Sequence, residues 1–206
     1  MNKSKWLNGN LIGLIILIIY IFLAIFPQWF SSQDPLTQNI AKRLALPGSG
    51  NLFGTDELGR DIFARCVYGA RSSLIVAIIA VVISTVLGVF FGLISGYTGG
   101  LIDAFLSRTF DILISFPAII IALALITVIG QNILAVAFVI GIVSTPVFFR
   151  ITRAITMKVK NLAYVDAVRT FGAPNRYLLF RTIFPNCYNE IFVQILMVAS
   201  RAIIVE

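Results

Sequence analysis

A chain of 206 residues that is 59% hydrophobic and 12% charged, with a mean hydropathy of +0.96, is too apolar for a soluble domain. An oversized soluble core is also excluded, because its pattern would repeat at period 3.6 or 2 and would not tolerate unbroken apolar runs of 16 to 22 residues. The net charge of +7 gathers between apolar runs and not in an aromatic-laced patch, which argues against nucleic acid and for membrane loops. With no His and two Cys, a Cys/His metal cluster is excluded, and no cofactor is expected.

Leu11 to Phe26 is the first apolar run, preceded by Lys3 and Lys5 and closed by Pro27, with Trp29 at the interfacial position. Its length, and the lack of a small-x-small site after it, distinguish it from a cleaved signal peptide. Leu74 to Ser95 is the second run. Its Gly88, Gly92 and Gly96 recur every four residues and expose backbone along one helical face, favouring packing within the chain over a dimerisation face.

The third run extends from Leu101 to Ile129, with Asp103, Arg108 and Asp111 in its first turns and Pro117 inside. Arg108 and Asp111 stand three apart and are expected to pair on one face, as an anchor or interhelical bridge more than as part of a pore. Gly130, Gln131 and Asn132 predict a tight turn, so the fourth run, Ile133 to Phe149, returns antiparallel. Pro146 near its end predicts a kink or an early exit. A fifth run begins at Ile191; its sixteen residues to Glu206 would reach about 24 Å against a hydrocarbon core of about 30 Å, so this crossing is expected to be incomplete. Arg201 falls near mid-bilayer, where it either lines a substrate route or pairs with a carboxylate of a partner subunit. Glu206 lies too far round the helix to be its partner.

Orientation follows from the basic residues. With the N-terminus inside, the inner segments hold Lys3, Lys5, Arg108, Arg150, Arg153, Lys158, Lys160, Arg169, Arg176 and Arg181, ten against the five outside, Lys42, Arg43, Arg60, Arg65 and Arg71. Cys66 then lies outside and Cys187 inside, so the two form no disulfide.

Two loops carry information. In the inner one, Asn161 is a candidate N-cap for a short amphipathic helix with Tyr164, Val165, Val168 and Phe171 on one face. Gly172 suits the left-handed residue after that helix, Pro174 the first turn of a second, and Pro185 the end of it. The product is helix, turn, helix, read either as a knob for a partner or as a solvated hairpin. In the outer loop, Thr55 is a candidate N-cap for a helix with Asp56 and Glu57 in its first turn; the loop either braces the outer face or meets an extracellular binding protein.

Asp166-Ala167-Val168, three residues, Gly172, then Ile183-Phe184-Pro185 resembles the EAA loop of ABC importer permeases, with Asp for Glu at 166, Val for Ala at 168 and Phe for Leu at 184. Phe53-Gly54-Thr55-Asp56-Glu57-Leu58-Gly59-Arg60-Asp61 through Leu74 is similar to the segment preceding the core of dipeptide, oligopeptide and nickel permeases. Tyr97-Thr98-Gly99-Gly100 with Asp103, and Phe116-Pro117, resemble the same class.

The resemblance implies an all-α integral membrane bundle of five helices, the last incomplete where the family normally has six. It comprises a cytoplasmic N-terminus over 1–10, a transmembrane anchor over 11–29, an extracytoplasmic loop over 30–73 and a permease core over 74–206, with a cytoplasmic coupling loop at 158–186. It further implies an importer of peptides or of nickel or metal chelates. The expected partners are a homologous permease, cytoplasmic ABC ATPases, an extracytoplasmic binding protein and the bilayer. The ATPase-coupling residues would be Val165, Asp166, Ala167, Val168, Phe171, Gly172 and Pro185, with Val165 to Phe171 docked in an ATPase groove. The chain has no Gly-x-x-x-x-Gly-Lys-Ser/Thr loop, so it is not expected to hydrolyse ATP itself. A truncated, inactive or regulatory permease fragment is the alternative, and a secondary transporter a further one.

Overall fold

A computed structural model describes residues 3–48, 50–130 and 132–205, with side chains described from residue 11 to residue 204 outside the two gaps. Gln131 of the anticipated turn and Glu206 lie outside the described residues. The helices are α1 (Lys3–Ile25), α2 (Pro27–Phe30), α3 (Ile62–Thr98), α4 (Gly100–Ser115), α5 (Ala118–Ile129), α6 (Ile133–Val159), α7 (Ala163–Thr170), α8 (Asn175–Tyr177) and α9 (Tyr188–Val205). Among the described residues no β-strand forms; two isolated bridges, Gly48 with Asn51 and Thr55 with Asp61, tighten one loop.

The chain divides into two units, residues 1–75 and 76–206, the boundary falling within α3. In the first unit, Tyr20 on α1 donates to the Ala70 carbonyl at 3.3 Å, and Phe22, Phe26, Trp29 and Phe30 form an aromatic cluster, Phe26 and Trp29 stacking at 4.9 Å. The expectation of a helix capped by Thr55 fails. The Thr55 hydroxyl donates to the Lys42 carbonyl and accepts from Ala45 N at 2.9 Å. The helix begins at Ile62 instead, where the Asp61 carboxylate accepts Ala64 N at 2.7 Å, the bond an N-cap makes to the third helical residue. Asp56 organises the tight loop ahead of it.

In the second unit, α3 and α6 are long and apolar enough to cross a membrane, as is the helical rod Asn175–Ile204; the bent pair α4 and α5 makes a fourth crossing if counted as one. The third run is therefore not a single straight helix. It bends by 92° between α4 and α5. Proline's ring disfavours the α conformation for the residue before it, and Phe116 is extended at φ −96°, ψ 143°.

At Pro146 and Pro185 the helical rod continues. Helix α6 continues beyond the fully buried Pro146 to Val159, as membrane helices often do when neighbouring elements cover the disturbed backbone. Pro185 does not end the second helix of the inner loop. A π-turn, Leu178–Ile183, followed by a 3-10 turn, Phe184–Cys187, carries the chain from α8 into α9, with Phe184 N reaching back to Leu179 O. Such a bulge absorbs a proline without breaking the rod. The helical rod that carries the fifth run thus starts at Asn175, well before Ile191, and its 30 residues reach about 45 Å, longer than the sixteen residues anticipated.

The core joins Val89 and Leu93 of α3, Phe148 and Val159 of α6, Val165 of α7, and Leu178, Ile183, Cys187, Ile191 and Val198 of the final rod.

Candidate functional site

Helix α6 runs directly into the loop that carries α7, whose shape comes from local chemistry. Leu162, not Asn161, precedes the first turn of α7, and its side chain caps nothing; Asn161 turns back so that its amide donates to Met157 O at 3.1 Å. At the other end of α7, Ala173 N bonds Val168 O at 3.4 Å and Gly172 N bonds Arg169 O at 2.9 Å. These paired bonds are a Schellman turn, which needs a left-handed residue. Gly172 supplies it at φ +81°. The turn is also tied to the end of α3, where Tyr97 donates to Asn175 Oδ1 at 2.6 Å.

The four apolar residues assigned to one face of α7 separate. Val165 is wholly buried and Val168 packs against the same core, whereas Tyr164 is exposed and Phe171 is 91% exposed. About two turns of helix can point only part of their surface at one support, and 164 and 171 fall beyond its edge. Val165 therefore anchors the loop in the core. Asp166, Ala167, Phe171, Gly172 and Pro185 are exposed. Asp166 pairs with Arg169 at 3.0 Å, both largely exposed, an arrangement that orients the side chains more than it stabilises them.

Above the loop, α3 lies against α6 along its glycines. A Cβ on Gly88 would strike Phe148 and the Thr145 carbonyl, one on Gly92 would sit 2.8 Å from both Phe149 O and the Thr152 Cβ, and one on Gly96 would sit 2.7 Å from Arg153 O. Gly141 on α6 returns the contact, its hypothetical Cβ lying 2.9 Å from that of Ile83.

Helix α4 is clasped to α6 by charge. Arg153 grips Asp103 with Nη2 to Oδ2 at 2.6 Å, and Ser95 adds a hydrogen bond to the same carboxylate. The anticipated Arg108–Asp111 pair does not form: Asp111 takes Arg150 of α6 at 2.7 Å, and Arg108 is exposed. The sequence could not indicate this, because Arg150 lies 39 positions away and only the α4–α6 contact brings it close. Phe110 and Phe149, next to Asp111 and Arg150 in sequence, stack at 4.2 Å.

Arg201 lines a cavity of about 370 Å³ between α5, α6 and α9, beside Ser144, Val143 and Ala118. Among the described residues it forms no ion pair; the acids of the clasp are held by Arg150 and Arg153.

Among the described residues, three helices long and apolar enough to cross a membrane, with the bent pair α4 and α5 as a fourth if counted as one, fit an all-α integral membrane protein. Residues 88–205 match the family of the binding-protein-dependent transport system inner membrane component, and residues 9–47 match the N-terminal transmembrane domain of oligopeptide transport permease C. The dipeptide transport system permease protein of Haemophilus influenzae is 36% identical over 203 residues, covering 96% of this chain and 69% of that protein. That of Alkalihalophilus pseudofirmus is 37% identical over 184 residues, 89% of this chain and 60% of its own. The oligopeptide transport system permease protein of Bacillus subtilis is 36% identical over 196 residues, 95% and 64%. The chain belongs to the family of binding-protein-dependent transport system inner membrane components. It spans 60 to 69% of the length of these relatives. The family is described as the inner membrane component of transport systems, and the relatives are named as permease proteins.

Proposed function

We propose that the chain is a membrane subunit of an ATP-driven importer of short peptides. In this reading it forms half of the translocation path with a homologous permease and takes substrate from an extracytoplasmic binding protein. The relatives described above are named for dipeptides and oligopeptides, which favours peptides over nickel or metal chelates. Residues 1–10 and the loop at 158–186 are cytoplasmic, 11–29 anchor the chain, 30–73 form the outer loop and 74–206 the permease core.

The observation that carries the coupling role is Phe171. A large aromatic side chain that is 91% exposed at the tip of a turn held by a Schellman motif, a buried Val165 and the Tyr97–Asn175 bond is apolar surface kept out of its own core. Such surface on a rigid support suits insertion into a partner's groove. A cytoplasmic ATPase closing on it would push on α7, and the contiguous α6 would carry the displacement into the membrane as a rigid body.

Phe171→Asp in the complete transporter is expected to keep membrane abundance near wild type while reducing ATPase co-purification and peptide uptake about tenfold or more, as loss of a desolvated aromatic anchor does. Retained uptake and retained co-purification would refute the coupling role. Gly172 separates shape from space: no heavy atom lies within 4 Å of a Cβ placed there, so Gly172→Ala is expected to lose only about 1 kcal/mol of loop stability through its left-handed backbone. Gly172→Val should impair coupling more, because a β-branched residue tolerates that backbone least.

A further inference from the structure

Among the described residues, Arg201 is the one ionisable group lining a cavity that is otherwise apolar apart from Ser144. Its depth is set by its neighbours. The cavity reaches Ile140 to Val147 on α6, from the middle of the apolar run 133–149 towards its later end, and the next residue, Ala202, packs against Ala77, Ala80 and Ile140. A guanidinium at that level is stable only facing water or an anion. The acids at the inner end of the bundle are engaged elsewhere, Asp103 with Arg153 and Asp111 with Arg150, and Glu190 stands three turns back along the same helical rod. A volume of about 370 Å³ falls in the range of small-ligand pockets, roughly 300–1,000 Å³, and the alanines at 118 and 122 and valines at 143 and 198 give the apolar walls that such pockets use around one orienting charge.

We propose that this cavity is a binding site for the terminal carboxylate of a peptide in transit, with Arg201 as its fork-shaped receptor and Ser144 within the same lining. The proposal rests on the peptide reading above and adds a residue and a ligand group to it. Arginine suits the task because its planar guanidinium donates two parallel hydrogen bonds to a carboxylate, which a lysine ammonium does not reproduce. An amide at the peptide's end would carry no charge for it.

The test measures uptake by the assembled transporter in cells. A labelled dipeptide with a free carboxylate is compared with its C-terminally amidated form, after dividing out the binding protein's own affinity for each. Arg201→Gln is expected to lower uptake of the free acid about tenfold or more, the loss of one charge-assisted pair, while leaving amide uptake unchanged, so that the acid-to-amide preference collapses. Arg201→Lys should keep part of the preference. Membrane abundance and co-purification of the second permease are measured in parallel. An unchanged preference in Arg201→Gln overturns the proposal, and so does loss of the second permease, which would make Arg201 a bridge between subunits. If the wild type takes up neither peptide, the peptide reading itself fails, and this site falls with it by a distinguishable route.

Discussion

Asp56 shows how one carboxylate can shape a loop that has almost no regular structure. It accepts Leu58 N and Arg60 N at 2.9 Å each, Arg60 Nε at 2.7 Å and the Arg65 guanidinium. Desolvation pushes its carboxyl up, but the backbone bonds from Arg60 and Leu58 and the two guanidinium contacts outweigh it and hold the group well below the usual carboxylate range. A carboxyl depressed in the folded state stabilises fully above its unfolded value, near 4, and that contribution is lost only as pH falls through the lower folded value. The loop amides of Leu58 and Arg60 are therefore expected to keep their hydrogen-exchange protection when the solubilised protein is brought to pH 4. In Asp56→Asn the charge that collects these donors is gone, and the protection should already be lost at pH 7. Protection in the variant equal to wild type would show that the bridge between Thr55 and Asp61 alone holds the loop.

Among elements, the α3–α6 seam decides how the core closes. Gly92→Leu has no room: its Cβ would meet backbone as well as side chain, and backbone cannot rotate away. Overpacking of this kind costs about 1–3 kcal/mol, or more where helices must separate, so the detergent-solubilised variant should melt several degrees below wild type. Gly69, lower on the same helix, has nothing within 4 Å. There Gly69→Ala is expected to raise stability by up to about 1 kcal/mol, since it only removes backbone freedom from the unfolded chain. Equal effects at the two positions would mean that the seam does not discriminate. The seam glycines were visible in the sequence because spacing by four is itself the geometry of one helix face. The capped turn at Gly172 was visible for a similar local reason. The prolines were not. Whether Pro117, Pro146 or Pro185 breaks a helix depends on what surrounds the freed carbonyl: Phe116 takes an extended backbone at the first, neighbouring helices cover the second, and a π-turn absorbs the third. The caps at Thr55 and Asn161 failed because each side chain found a nearer backbone partner. The Asp111–Arg150 pair was out of reach because it depends on two helices meeting.

For the whole molecule, the arrangement has a consequence for sidedness. Helix α6 carries the clasp residues Arg150 and Arg153 at one end and continues into α7, so the clasp, the loop and the bend at Phe116-Pro117 must share one side of the bilayer or lie near it. In the proposed orientation that side is the cytoplasmic one, to which the positive-inside rule assigns ten basic residues against five opposite. The two cysteines allow a direct check. Cys66 is exposed and Cys187 is buried, so a thiol reagent should see the first and ignore the second. Applied to intact cells, a membrane-impermeant maleimide is expected to label Cys66; in a Cys66→Ser background, Phe171→Cys should remain unlabelled until the membrane is opened. The reverse order would put the loop outside, away from any nucleotide-driven motor, and would leave the exposed Phe171 without the partner assigned to it. If both positions were labelled from outside, the helical rod from Asn175 could not follow a cytoplasmic loop, and the crossings would have to be recounted from α3 onward.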